Sequence, residues 1–178
     1  MDKDKLFLIT ELEGFAPEIG RLVSMMNYAR YTTLATVQGL SMRQLDYVHD
    51  ANSNSIGDLL LHMAAVELGY QLETFYGREP NAEEIEKWQA PFDLGDLGRE
   101  QIRGKELEYY LHELSEMRKV TLEEFRRRDD SWLYEETPFW RDKPANNYFK
   151  WFHVFEDEIN HRGQIRWLRQ RAIQYEPE

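Results

Sequence analysis

The chain contains no cysteine, which excludes a disulfide framework, a thiolate zinc site and a cysteine nucleophile together. Any metal it holds must be gripped by nitrogen and oxygen. A long uncharged apolar run is also missing. No stretch approaches the roughly 18 residues that a membrane-spanning helix needs, and MDKDKLFLITELEGF shows no apolar leader behind its charges. These absences predict a cytoplasmic protein with no membrane partner. Basic charge is short as well: 22 Lys and Arg stand against 33 Asp and Glu, a net charge of −11. The one basic run, Arg126 to Arg128, is followed at once by Asp129 and Asp130. That balance repels a phosphate backbone and makes nucleic acid the least favoured partner. No internal repeat, low-complexity segment or clear strand pattern is visible.

What is present suits one globular domain over 1–178, since 178 residues with 42% hydrophobic and 13% aromatic content can bury a substantial core. Helical apolar spacing predicts a first long helix from Ile19 to Val37, with Leu22, Met25, Met26, Tyr28, Ala29 and Leu34 on its stripe, ending near Gly39. A polar DANSNS connection leads to a second helix from about Ser55 to Phe75, with Gly77 as its stop. The proline- and glycine-bearing span from Arg78 to Gly104 reads as a crossover with one short helix near Glu83 to Trp88. A third helix carries Leu107, Tyr110, Leu111, Leu114, Met117, Thr121, Leu122 and Phe125. After an irregular TPFWRDKPANN stretch, Pro144 suits the first turn of a last helix whose C-terminal end is favoured by Arg166, Arg169 and Arg171. The fold class expected is all-α, a four-helix bundle with a long crossover connection.

Chemistry concentrates in WFHVFEDEINHRGQIRW, where His153, Asp157 and His161 recur every four residues and so form one ridge on a helix. Imidazole and carboxylate at this spacing can offer two ligands to one divalent ion. His153 and His161 are about 12 Å apart along the axis at 1.5 Å per residue, so the usable pairs are His153 with Asp157 or Asp157 with His161. A third ligand has to come from another helix, and His62, beside the apolar stripe of the second, is the best placed. Glu67 lies within that stripe, where an unpaired carboxylate is costly. It is either an ion-pair partner of a neighbouring helix or a second carboxylate near the metal, acting as acceptor or general base. His49 and His112 read as surface residues. Trp140, Tyr148, Trp151, Phe152 and Phe155 read most simply as core, with a subunit contact as the alternative.

The segments SIGDLLLHMAAVE and HVFEDEINHRGQIRWLRQR, with ETFYGRE and TPFWRDKPANNYFKWF between them, resemble the DinB-like superfamily, also described as YfiT-like metal-dependent enzymes. The resemblance runs in order over nearly the whole chain. It implies a four-helix bundle in up-down-down-up order, commonly a homodimer, with a divalent metal held by three histidines. The family's first histidine falls on His62 and its last on His161, while the middle one falls on Asp157. That departure keeps a metal-binding donor type but adds negative charge, which leaves bound water less acidic than three neutral imidazoles do. Characterised relatives include bacillithiol-dependent transferases and mycothiol-dependent isomerases, so the resemblance implies an enzyme whose metal activates a low-molecular-weight thiol or water for transfer or hydrolysis. The donor set suits zinc, nickel, iron or manganese. The competing expectation, motivated by Asp157, is a non-catalytic dimeric bundle with a degraded metal site, serving as a binding or stress-associated protein.

Overall fold

The computed structural model describes residues 5–174. The charges at residues 1–4, which bear on the leader reading, and the last four residues lie outside the described residues. In chain order the helices are α1 (Pro17–Val37), a short α2 (Met42–Leu45), α3 (Ile56–Gln71), α4 (Ala82–Asp93), α5 (Gly95–Gln101), α6 (Leu107–Phe125) and α7 (Asn147–Gln174). A two-stranded antiparallel hairpin, β1 (Glu136–Phe139) and β2 (Lys143–Asn146), precedes α7. The protein is thus mostly helical with one small sheet.

Local chemistry sets the helix starts. Ser55 opens α3 with a capping box: its Oγ accepts from the Asp58 amide at 3.0 Å while Asp58 Oδ2 accepts from the Ser55 amide at 2.7 Å. Asn81 and Glu84 do the same for α4. The start of α1 is completed from far away in sequence, because Asp130 Oδ1 accepts from the amides of Glu18 and Ile19 at 2.9 and 3.1 Å. At its other end α3 widens into a π turn, Leu72–Tyr76, before Gly77 stops it in the left-handed region at φ 58°.

Cross-contacts give the directions of the long helices. Tyr110 lies over Gly57, and Gln71 donates to the Met117 carbonyl and the Thr121 hydroxyl, so α3 and α6 run the same way. Tyr148 reaches Glu18 and Arg162 reaches Thr32, making α1 and α7 parallel. Trp151 meets Thr74 while His161 meets His62, so α7 runs against α3.

Several expectations need correction. Pro144 is not in the first turn of α7; it sits in β2 opposite Pro138, and the helix is capped instead by Asn146, whose Oδ1 accepts from the Phe149 amide at 2.9 Å. The hairpin escaped notice because its short strands contain these two prolines, and proline normally argues against a strand. The crossover holds two helices rather than one short helix, and it buries Trp88, Ala90 and Ile102 in the core. Trp140 and Phe152 are not core residues, being 69% and 45% exposed, and Tyr28 and Leu34 of α1 also face outward. Trp151 and Phe155 are buried as expected, and His49 and His112 lie at the surface.

Two apolar clusters fill the interior. One gathers Ile56 to Leu68 of α3 with Tyr110, Leu114, Ile165 and Leu168; the other gathers Ile19 to Ala29 of α1 with Phe125, Trp132, Trp151 and Phe155. Between these levels lies a buried charged layer to which each long helix gives one residue: Arg30 from α1, Glu67 from α3, Arg118 from α6 and Glu158 from α7. Arg118 donates to Glu67 at 2.7 Å and Arg30 to Glu158 at 3.0 Å, while Arg30 also reaches the second Glu67 oxygen at 3.2 Å. Two arginines and two glutamates leave the layer neutral. Thr121 completes it with a 2.7 Å bond to Glu67.

Burial alone favours the protonated form of Glu67, but Arg118 and Arg30 beside it more than reverse this and hold its carboxyl below the ordinary range. A depressed folded-state pKa contributes stability above the unfolded value, and that contribution is lost as pH falls through the folded one. Arg118→Met should therefore cost about 3–5 kcal/mol at neutral pH by leaving carboxylate charge undercompensated, read from urea unfolding. The penalty should shrink as the pH is lowered through the carboxylate range, and adding Glu67→Leu should recover part of it at neutral pH.

Candidate metal centre

His62 on α3 and Asp157 and His161 on α7 each bring one ligand atom to a single place, all within 4.8 Å of one another. The antiparallel packing of α3 on α7 produces this, because it sets His62 one level beside the last two residues of the α7 ridge. The rings of His62 and His161 are 4.9 Å apart at 83°. His161 Nε2 is 3.3 Å from Asp157 Oδ1, and both side chains are largely but not wholly buried. Of the two ligand pairs that spacing allowed, the fold brings Asp157 with His161 to His62.

His62 is oriented by a break in helical bonding. Pro91 lies inside α4, and its carbonyl accepts from His62 Nδ1 at 2.8 Å. A carbonyl oxygen can only accept, so Nδ1 carries the hydrogen and Nε2 keeps its lone pair. The amide that would continue the helical ladder to Pro91, that of Gly95, donates instead to Asn54 Oδ1 at 3.1 Å. The chain turns there through Leu94 and Gly95, both at positive φ. This is the arrangement by which a ligating imidazole is usually fixed from behind.

The residues fit a divalent cation. Asp157 Oδ2 and His161 Nδ1 are buried without a hydrogen-bond partner, a costly state for such atoms unless something charged or polar meets them. Two imidazoles and a carboxylate match the preferences of several first-row metals. Burial pushes the His62 pKa down, more strongly than the Pro91 carbonyl and Asp157 raise it, so the ring is neutral and ready to ligate. Burial also opposes the His161 cation, but the Asp157 carboxylate outweighs it and raises that pKa.

His153 stands apart from the trio. Its ring is surrounded by Tyr70, Phe139, Trp140 and Phe149 at centroid distances of 5.3–6.4 Å. Glu67 has both oxygens engaged by Arg118, Arg30 and Thr121, the ion-pair role that its position in the apolar stripe suggested. One helical turn along α3 from His62 begins a cavity of about 640 Å³ with Val66, Gly69 and Tyr70 of α3 on one side, Phe92 of α4 on another, and Phe139 and Trp140 of the hairpin on a third. Sequence spacing did not point to Pro91 or to this wall. The proline inside an otherwise helical α4 was the available signal for the first.

Residues 21–173 match the family model described as mycothiol-S-transferase. The chain belongs to that family, and through it to the DinB-like superfamily. No protein with a curated description matches the chain. Among solved structures, a crystal structure titled as a conserved protein of a locus from Enterococcus faecalis matches with a TM-score of 0.66 at 16% identity, covering 86% of this chain and 95% of that one. At that identity the likeness speaks for the shared fold alone. Among the described residues of this family member, no helix is long and apolar enough to cross a membrane.

The two site histidines should titrate on opposite sides of the ordinary imidazole value in metal-free protein followed by nitrogen-detected or proton–nitrogen NMR: His62 below it and His161 above it. Asp157→Asn should bring the His161 midpoint down, because the carboxylate is what favours its cation; an unmoved midpoint would remove Asp157 from that role.

Proposed function

We propose that the protein is a metal-dependent thiol S-transferase, with His62, Asp157 and His161 holding one divalent ion and a low-molecular-weight thiol of the mycothiol type as the nucleophile's source. The observation that carries this reading is the convergence of three ligand atoms from two helices within 4.8 Å, in a chain whose family is described by that activity. When bound, the ion supplies a Lewis acid that favours thiolate over thiol near neutral pH.

The chain's own residues account for the rest. Pro91 fixes the His62 tautomer. Asp157 supplies the negative charge that offsets part of the cation's, which tempers its acidity but strengthens its retention. Tyr70, Phe92, Phe139 and Trp140 wall a cavity that begins one helical turn from His62 and offers room for a second substrate. We place Glu67 outside the chemistry, as part of the layer that sets helix register. The helix directions and the two-helix crossover support a four-helix bundle in up-down-down-up order as the frame for this site.

The test is metal content and thiol transfer on the same preparation, expressed without a histidine tag. One equivalent of metal should bind, His161→Ala should weaken it by about 100-fold or more, and thiol consumption should stop on chelation and return on reloading. Negligible binding in both the parent and His161→Ala, with metal affinity appearing only in Asp157→His, would instead favour the non-catalytic bundle with a degraded site.

A further inference from the structure

Resting on the thiol-transfer reading, we infer that the second substrate is an uncharged aromatic electrophile whose ring lies in the cavity walled by Tyr70, Phe92, Phe139 and Trp140. The cavity adjoins the trio. Val66 and Tyr70 follow His62 by one and two turns on the same face of α3, and Phe92 follows Pro91, whose carbonyl holds His62. Tyr70 also stands 5.9 Å from the ring of His153, one turn before Asp157 on α7. The wall nearest the trio is thus Val66, one helical turn from His62, and the cavity runs from there toward the hairpin.

Shape favours a flat ring. Phe139 and Trp140 stack on each other at 5.0 Å and 15°, and Tyr70 lies 6.3 Å from Phe139. These faces are incompletely covered: Trp140 is 69% exposed although it borders a cavity of about 640 Å³. Space on the α3 side depends on Gly69, where a Cβ would lie 3.1 Å from the Phe92 ring. A larger residue there would press Phe92 into the cavity. Offset or edge-on contact with such rings rewards an aromatic ligand beyond its buried area.

Charge excludes an anion. The titrating residues of the lining are Arg78, Glu73 and Glu79, one positive and two negative, for a net of −1. Arg78 is already held by both Glu84 oxygens at 2.7 and 2.8 Å and by the Glu79 carbonyl at 3.0 Å. Lys150, buried behind the wall, is engaged by Glu73 and Thr137. No cation of the lining is free to meet a carboxylate. Tyr70 stays a neutral phenol, since burial, Glu73 and Asp157 all raise its pKa. In the transfer, the sulfur of the thiol forms a carbon–sulfur bond to the electron-poor ring carbon. For an aryl halide as that electrophile, the carbon–halogen bond breaks, halide leaves with its electron pair, and the thiol proton passes to solvent.

Two arms on the full chain test this. In the first, equilibrium dialysis compares nitrobenzene with 4-nitrobenzoate on the metal-free and the metal-loaded protein. Nitrobenzene should bind about tenfold tighter or better in the metal-free form, and Trp140→Ala should weaken it about three- to tenfold without changing 4-nitrobenzoate. Trp140 is exposed, so its removal should leave the fold intact, checked by circular dichroism. Equal binding of the two probes, tighter binding of the anion, or indifference to Trp140→Ala overturns the ring site. The second arm follows transfer from N-acetylcysteine to methyl 4-chloro-3,5-dinitrobenzoate and to the corresponding carboxylate, 4-chloro-3,5-dinitrobenzoate, each corrected for its uncatalysed rate. Selective ring binding without metal-dependent transfer to either removes the thiol-transfer reading while the ring site stands. Metal-dependent transfer with no preference between them removes the ring site while the reading stands.

Discussion

Four buried charges, one from each long helix, constrain how this protein assembles. Arg30, Glu67, Arg118 and Glu158 bond only when the four helices share one level and each turns the right side inward. Buried ion pairs contribute little net stability over apolar packing, but they penalise any arrangement that leaves a member alone. A slip of α7 by one turn along its axis would strand Glu158 away from Arg30 and Arg118. Glu158 is the neighbour of Asp157, so the same constraint that aligns the helices also fixes where the ligand ridge faces.

The convergence of three donor side chains is a consequence of that alignment. With Glu158 turned into the charged layer, Asp157 and His161 are carried to the α3 side of α7 and meet His62 there. The remaining ligand orientation comes from α4, which the sequence presented only as part of a connection. Pro91 lies in the last turn of α4, Gly95 bonds elsewhere, and the carbonyl thus left free accepts from His62. A segment that joins two long helices thus also serves as the outer support of the site.

The hairpin has a comparable double role. It ends at Asn146, which caps α7, and it presents Phe139 and Trp140 to the cavity that begins one turn from His62. Lys150, fully buried, links it to the turn after α3 through Thr137 and Glu73. The ring contacts around His153 come from both sides of this junction, which explains why that histidine is enclosed by aromatic groups instead of joining the ligand set.

Sequence spacing alone determined the long helices, the polar ridge on α7, and the absence of thiol ligands, because helical periodicity and residue chemistry are local properties. His62, Asp157 and His161 were legible as donors, yet spacing left Asp157 open to pairing with either histidine. The family resemblance favoured His161, and the packing of α7 against α3 places Asp157 and His161, not His153, beside His62. Packing also decided that Glu67 belongs to an ion-pair layer with Arg30, Arg118 and Glu158, residues separated by as many as 128 positions along the chain. The hairpin and the Pro91 carbonyl were hidden for a related reason: prolines weaken local signals for strand and helix, while the partners that compensate for them lie in distant parts of the sequence.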